Sequence, residues 1–274
     1  MAKQRKNNET RAEPLTLDVL KRLGALDKYL VAPSGAFDPN GAWEQTWLIW
    51  LVASGANACG SLRIKRTPEA GNRSVSLDVA QEVCLAGSTH RVTARLLCGL
   101  DPLTAPRSWE LESVLMDLNG KPLAGTQEAE RAKVVGDKIE VTTGNKALQR
   151  DAPGIFTSNW CLFDALQRLP ASESSLPEFT LLEDLDLRKE GQRVTRNGAA
   201  DIELGAQKVR LHGFQHVGHG VLPWQYWLDG QNRLLAAISG IRAYLYCPQA
   251  ARHVSELAAR STKAVNRKKG KEDE

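Results

Sequence analysis

From Trp43 to about Gly144, apolar residues recur at every second position. Leu62 and Ile64 alternate with Arg63 and Lys65, and Val75, Leu77 and Val79 alternate with Ser76 and Asp78. Val92, Ala94 and Leu96 alternate with Thr93 and Arg95. A period of two sends successive side chains to opposite faces of a strand, so each run has one face to bury. Gly, Pro or Asn separates the runs, as in consecutive antiparallel strands. The same reading gives strands at 179–187, 200–204, 209–217, 223–228 and 233–246. A helical bundle is excluded.

Two helices interrupt this pattern. Thr16 can cap a helix that runs to about Leu30, with Val19, Leu23, Leu26 and Leu30 on one stripe. Ala32-Pro33-Ser34-Gly35 stops it. The second spans 157–169, with Thr157 or Ser158 as cap, Leu162, Leu166 and Leu169 as the apolar stripe, and Pro170 as the stop. Strands lie on both sides of this helix without a long linker, so the reading is one β-rich domain over 15–247. Segments 1–14 and 248–274 read as basic, largely disordered tails.

Charge follows that division. The chain of 274 residues carries a net +4. Residues 1–11 hold +3, residues 252–274 another +3, and the body between them −2. The basic excess therefore marks the tails, and no specific nucleic-acid partner is expected. Only Trp47 to Ala53 is strongly apolar in the uncharged run between Glu44 and Arg63, too short to span a bilayer and better suited to a buried strand. The polar start offers no export signal, so a cytoplasmic location is expected.

The segment Leu222-Pro223-Trp224-Gln225-Tyr226-Trp227-Leu228-Asp229-Gly230-Gln231-Asn232-Arg233-Leu234-Leu235 reads as an aromatic strand, a turn and a returning strand. With Val209 to Val217 before it, it resembles the closing strands of a family of uncharacterised bacterial envelope proteins. Those proteins form a curved, open antiparallel half-barrel similar to the lipoprotein carriers. The resemblance covers 175–246 and, by strand pattern alone, 43–145. It implies the half-barrel, an apolar concave face and an envelope location, and it carries over no catalytic residue.

Chemistry-bearing residues are few. His212, His216 and His219 are the clustered metal-ligating candidates, but on a strand His212 and His216 share a face and His219 falls on the other. Glu183, Asp184 and Asp186 read as the solvated face of a strand. The five cysteines are scattered without a C-x-x-C pair and read as structural thiols. Nucleophile-elbow, phosphate-loop, dinucleotide and zinc-protease motifs are absent.

Together these residues predict an α+β, mainly β fold. A curved antiparallel sheet, half-barrel or open barrel, carries the 157–169 helix across its concave side and the 16–30 helix at one edge. The expected function is non-enzymatic binding of an apolar small molecule or a protein partner on that face, with Trp160, Phe163, Trp224, Tyr226 and Trp227 as ligand contacts. No cofactor or metal is implied. Two alternatives stay open: a metal-assisted hydrolase using His212, His216 and His219 with Glu203 or Asp201, and a purely structural protein.

Overall fold

The computed structural model describes residues 15–52, 57–71, 73–85, 87–117 and 119–256. Of the tails expected at 1–14 and 248–274, residues 1–14 and 257–274 lie outside the described residues. Eight strands come first: β1 (Trp43–Leu51), β2 (Asn57–Pro68), β3 (Ser74–Leu85), β4 (Ser88–Gly99), β5 (Pro106–Met116), β6 (Glu128–Val135), β7 (Lys138–Thr143) and β8 (Lys146–Asp151). Short β9 (Phe156–Ser158) leads into helix α3 (Asn159–Arg168). Six more strands follow: β10 (Phe179–Glu183), β11 (Leu187–Leu204), β12 (Gln207–Val217), β13 (Trp224–Leu228), β14 (Leu234–Ser239) and β15 (Arg242–Tyr246).

Among the described residues all fifteen strands join in one sheet, in the order β8-β7-β6-β5-β4-β3-β2-β1-β15-β14-β13-β12-β11-β10-β9. Pairing is antiparallel except between β9 and β10. Laid flat, such a sheet would span roughly 65–70 Å at about 4.8 Å per strand. Yet Trp109 and Ile139 from one half share a single apolar cluster with Phe179, Phe214 and Tyr226 from the other. The sheet is therefore rolled into an open barrel. Arg150 on β8 spans the gap between its ends, donating to the Leu185 and Asp186 carbonyls.

Helix α3 lies inside the roll. Ser158 Oγ accepts the Cys161 N–H at 3.1 Å and caps it, as its sequence predicts. Every residue from Trp160 to Gln167 is buried. Phe163 meets the rings of Trp47, Tyr226 and Tyr244 edge-on, at centroid distances of 4.9, 6.3 and 5.6 Å. The two polar residues buried on the helix are both hydrogen-bonded. Gln167 donates to the Phe163 carbonyl and accepts the Leu234 N–H. Asp164 accepts from Arg66 Nε, Arg168 Nε and Thr104 Oγ1, each at 2.7 Å.

On the outer face a second cluster covers β1, β14 and β15. Its lid is α1 (Leu17–Arg22) and α2 (Ala25–Tyr29), capped at the start by Thr16. One continuous helix and an edge position were expected here. Gly24 instead takes a left-handed φ of 67° and breaks the helix, so that both pieces lie flat on the sheet. Residues 250–256 form a further helical stretch whose Ala250 joins this cluster and whose Val254 is also buried, so packed structure continues past the expected limit at 247. Covered on both faces, β1 is apolar throughout Trp47–Leu51 and breaks the alternation of its neighbours.

Across β2–β6 the outer face bears charges. Arg63 pairs with Glu44, Arg95 with Asp78, Arg91 with Glu82, and Arg131 with Glu110. Such a lattice is the opposite of the lipid-facing band of a transmembrane barrel. Among the described residues no helix is long and apolar enough to cross a membrane.

The strand expected at 233–246 is two strands, β14 and β15, turned at Gly240 and Ile241. The strand expected at 179–187 is broken by Asp184 and Leu185, whose φ values of 51° and 66° make a tight turn. Strand β11 extends through the polar run 188–199, which carries no apolar alternation. The 229–233 turn joins β13 to β14 as expected, but its left-handed residue is Asn232, at φ 62°, rather than Gly230. Buried Asp229 Oδ1 accepts the N–H groups of Gln231 and Arg233, both at 2.9 Å. Asp229→Ala strands both donors and should cost about 1.5–3 kcal/mol in a denaturant titration, whereas Gly230→Ala, with open space around a Cβ, should cost under about 1 kcal/mol.

Candidate functional site

Beneath α3 the concave face is filled; beyond the helix N-terminus it is open. A cavity of about 550 Å³ opens there, against the inner face of β3–β7. Val83, Val92, Leu111 and Leu115 form its apolar wall, the inward positions of alternating strands. Gln81, His90, Ser113 and Thr143 interleave with them, and His90 Nε2 bonds Ser113 Oγ at 2.8 Å. Glu128, Glu130, Asp184, Asp186 and Arg242 form the charged rim.

The rim is pinned by specific contacts. Trp109 Nε1 donates to Glu130 at 2.8 Å. Asn159, the first residue of α3, exchanges two 2.9 Å hydrogen bonds with Asp184, through its amide N–H₂ and its carbonyl oxygen. Leu185, beside it, is fully buried in the core, so the β10–β11 turn is plugged into the barrel and holds Asp184 and Asp186 over the mouth. Arg150 Nη1 donates to Asp186 Oδ1 at 2.8 Å. Crowding by protein raises the Asp184 carboxyl above the ordinary aspartate range, partly offset by the Asn159 bond. Asp184 and Asp186 are thus turn residues over a cavity, not the solvated strand face that the alternation suggests.

The five expected ligand contacts do not share one surface. Trp160, Phe163 and Tyr226 are buried in the inner core. Trp224, half-buried, stacks on Tyr226 and Tyr244. Trp227 faces the other way, over Gly213 and against the outer cluster. Two of these rings support the mouth from behind: Trp160 Nε1 points at Gln81 Oε1 at 3.5 Å, and Trp224 stacks on Tyr244, whose hydroxyl accepts from Arg242 at 3.3 Å. His90, Ser113, Glu130 and Arg242 were missed, because no local motif marks residues gathered from distant strands.

The histidines do not converge on a metal. Among the described residues no three His, Cys, Asp or Glu side chains form a metal-holding group. His216 is buried between Phe179 and Tyr226 and bonds Gln192 Oε1 through Nε2 at 2.9 Å. Asp201 is paired with Arg210 and Lys208 at the far end of β11. Burial, helped by the Lys189 charge, lowers the His216 imidazole from 6.5 to about 4. Folding therefore favours the neutral ring: its contribution is full above pH 6.5 and is lost as pH falls through about 4. The loss reaches about 3 kcal/mol at pH 4. In His216→Gln the stability–pH curve should be flatter by that amount between pH 6.5 and 4; an unchanged slope contradicts it.

Fold and cavity together make an open, single-sheet β-barrel-like architecture with an internal helix and an open mouth of about 550 Å³. No family model matches the chain, and no curated protein matches it. Among solved structures it is similar to the crystal structure of a β-barrel-like protein of domain of unknown function DUF1849 from Brucella abortus. Identity is 10% and the TM-score 0.49, over 75% of this chain and 95% of that one.

Proposed function

We propose that the protein binds a small amphipathic molecule, without reacting with it, in the mouth between α3 and β3–β7. The observation that carries this reading is the 550 Å³ cavity itself, apolar along one wall and polar at its rim. Its size lies in the usual range for small-molecule sites, and its composition matches their mix of apolar wall and few placed polar groups. The apolar part of the ligand lies on Val83, Val92, Leu111 and Leu115, and its polar end meets His90, Ser113 and Arg242. Trp160, Phe163, Trp224 and Tyr226 act as the rigid backing of this site, and Trp227 secures β13 from outside. Carriage of an apolar cargo, which likeness to the lipoprotein carriers implies, is the narrower form of this reading. A protein partner is the second reading, favoured by exposed Val52, Leu222 and Ile241 close to Arg242.

The test is a fluorescence titration with N-phenyl-1-naphthylamine, a neutral apolar probe. Ser113→Trp fills the mouth and should weaken binding at least about tenfold, whereas Thr93→Trp, on the outer face of the same sheet, should leave it unchanged. Equal binding by both variants contradicts the reading.

A further inference from the structure

Cys98 and Cys161 are far apart in sequence, yet their sulfurs lie 3.7 Å apart in the core. Cys98 comes from the inner face of β4 and Cys161 from the first turn of α3, and both are fully buried as free thiols. A disulfide requires the sulfurs to approach by roughly 1.7 Å more, a shift within reach of side-chain rotation. The bond would tie the internal helix directly to the sheet and close a loop holding β5 to β9.

We propose that Cys98 and Cys161 are a disulfide-forming pair that closes while the chain folds in the presence of a small-molecule disulfide, and is inaccessible to that oxidant once folding is complete. The exchange balances in two steps. The Cys98 thiolate attacks one sulfur of the oxidant, forming a mixed disulfide and releasing the first thiol. The Cys161 thiolate then attacks the Cys98 sulfur, closing the protein disulfide and releasing the second thiol. Two protein thiols and one oxidant disulfide thus become one protein disulfide and two small thiols. The order of events follows from burial. In the folded protein neither cysteine is exposed, and burial pushes the Cys98 thiol well above its ordinary range. Attack needs a thiolate in contact with solvent, which exists only before α3 docks.

The full chain should be unfolded in guanidinium and refolded by dilution into reduced or oxidised glutathione, with native protein incubated in oxidised glutathione alongside. Peptide mapping after alkylation should find a Cys98–Cys161 linkage, with loss of two hydrogens, only in the oxidatively refolded sample. Closing so long a loop should raise the thermal midpoint of that sample by about 5–15 °C over the reduced one. The proposal is overturned if both thiols are free after oxidative refolding, or if they pair instead with Cys59, Cys84 or Cys247. It is equally overturned if the native protein acquires the linkage at the same rate.

Discussion

Asp164→Ala is expected to destabilise the protein by about 3–5 kcal/mol, a drop of roughly 8–15 °C in thermal midpoint. The carboxylate is fully buried and accepts from three donors on three elements: Arg66 on β2, Arg168 on α3 itself, and Thr104 in the β4–β5 loop. Removing it leaves the Arg66 guanidinium buried and without a counter-charge, its remaining partners among the described residues being the carbonyls of Asn40 and Gly41. An unpaired charge in that setting costs more than the pair ever contributed. Arg66→Met combined with Asp164→Leu should therefore cost less than Asp164→Ala alone, because the fully buried charge at Arg66 is then gone and Arg168, nearer the surface, keeps the carbonyls of Leu100 and Asp101. A double variant as unstable as the sum of the singles contradicts this account.

Phe163→Ala should cost a similar 3–5 kcal/mol, by a different route. Its ring sits where α3 crosses the sheet, edge-on to Trp47, Tyr226 and Tyr244, with no polar atom involved. Truncation leaves a void lined by aromatic faces on strands β1, β13 and β15, which are fixed by their own hydrogen bonds and cannot close in. Phe163→Leu, which keeps most of the volume, should cost under about 2 kcal/mol. Urea titrations of the two variants measure the difference. Near-equal values mean that the space under the helix is loosely packed.

Much of this fold is legible in the residues. Strands β2 to β4 follow from alternation at 62–65, 75–79 and 92–96, because one of their faces is core and the other water. Helix α3 follows from Ser158 and Pro170 at its ends, and the β13–β14 turn from Asp229. Its place across the concave side follows from an apolar stripe with nowhere else to bury. What escapes is non-local or carries no residue signature. The break at Gly24 depends on the sheet against which both helical pieces flatten. The turn at Asp184 and Leu185 uses left-handed backbone at residues that seldom adopt it, held by the buried Leu185 side chain and by Asn159. Strand β11 is polar along 188–199, since much of it faces solvent on both sides and is fixed by pairing with β12. The mouth escapes for the same reason: Gln81, Ser113, Glu130 and Arg242 come from strands distant in sequence, and only the rolled sheet gathers them.

The barrel interior is open at its mouth and filled beneath α3. Methyl NMR of the protein titrated with N-phenyl-1-naphthylamine distinguishes the two regions, because inner-face methyls sample both. Saturable shifts are expected at Val83, Val92, Leu111 and Leu115, with none at Leu166, Leu169 or Leu228 around the helix. Shifts at the helix-side methyls, or on the outer cluster at Leu48 and Leu235, with the mouth unmoved, would contradict it.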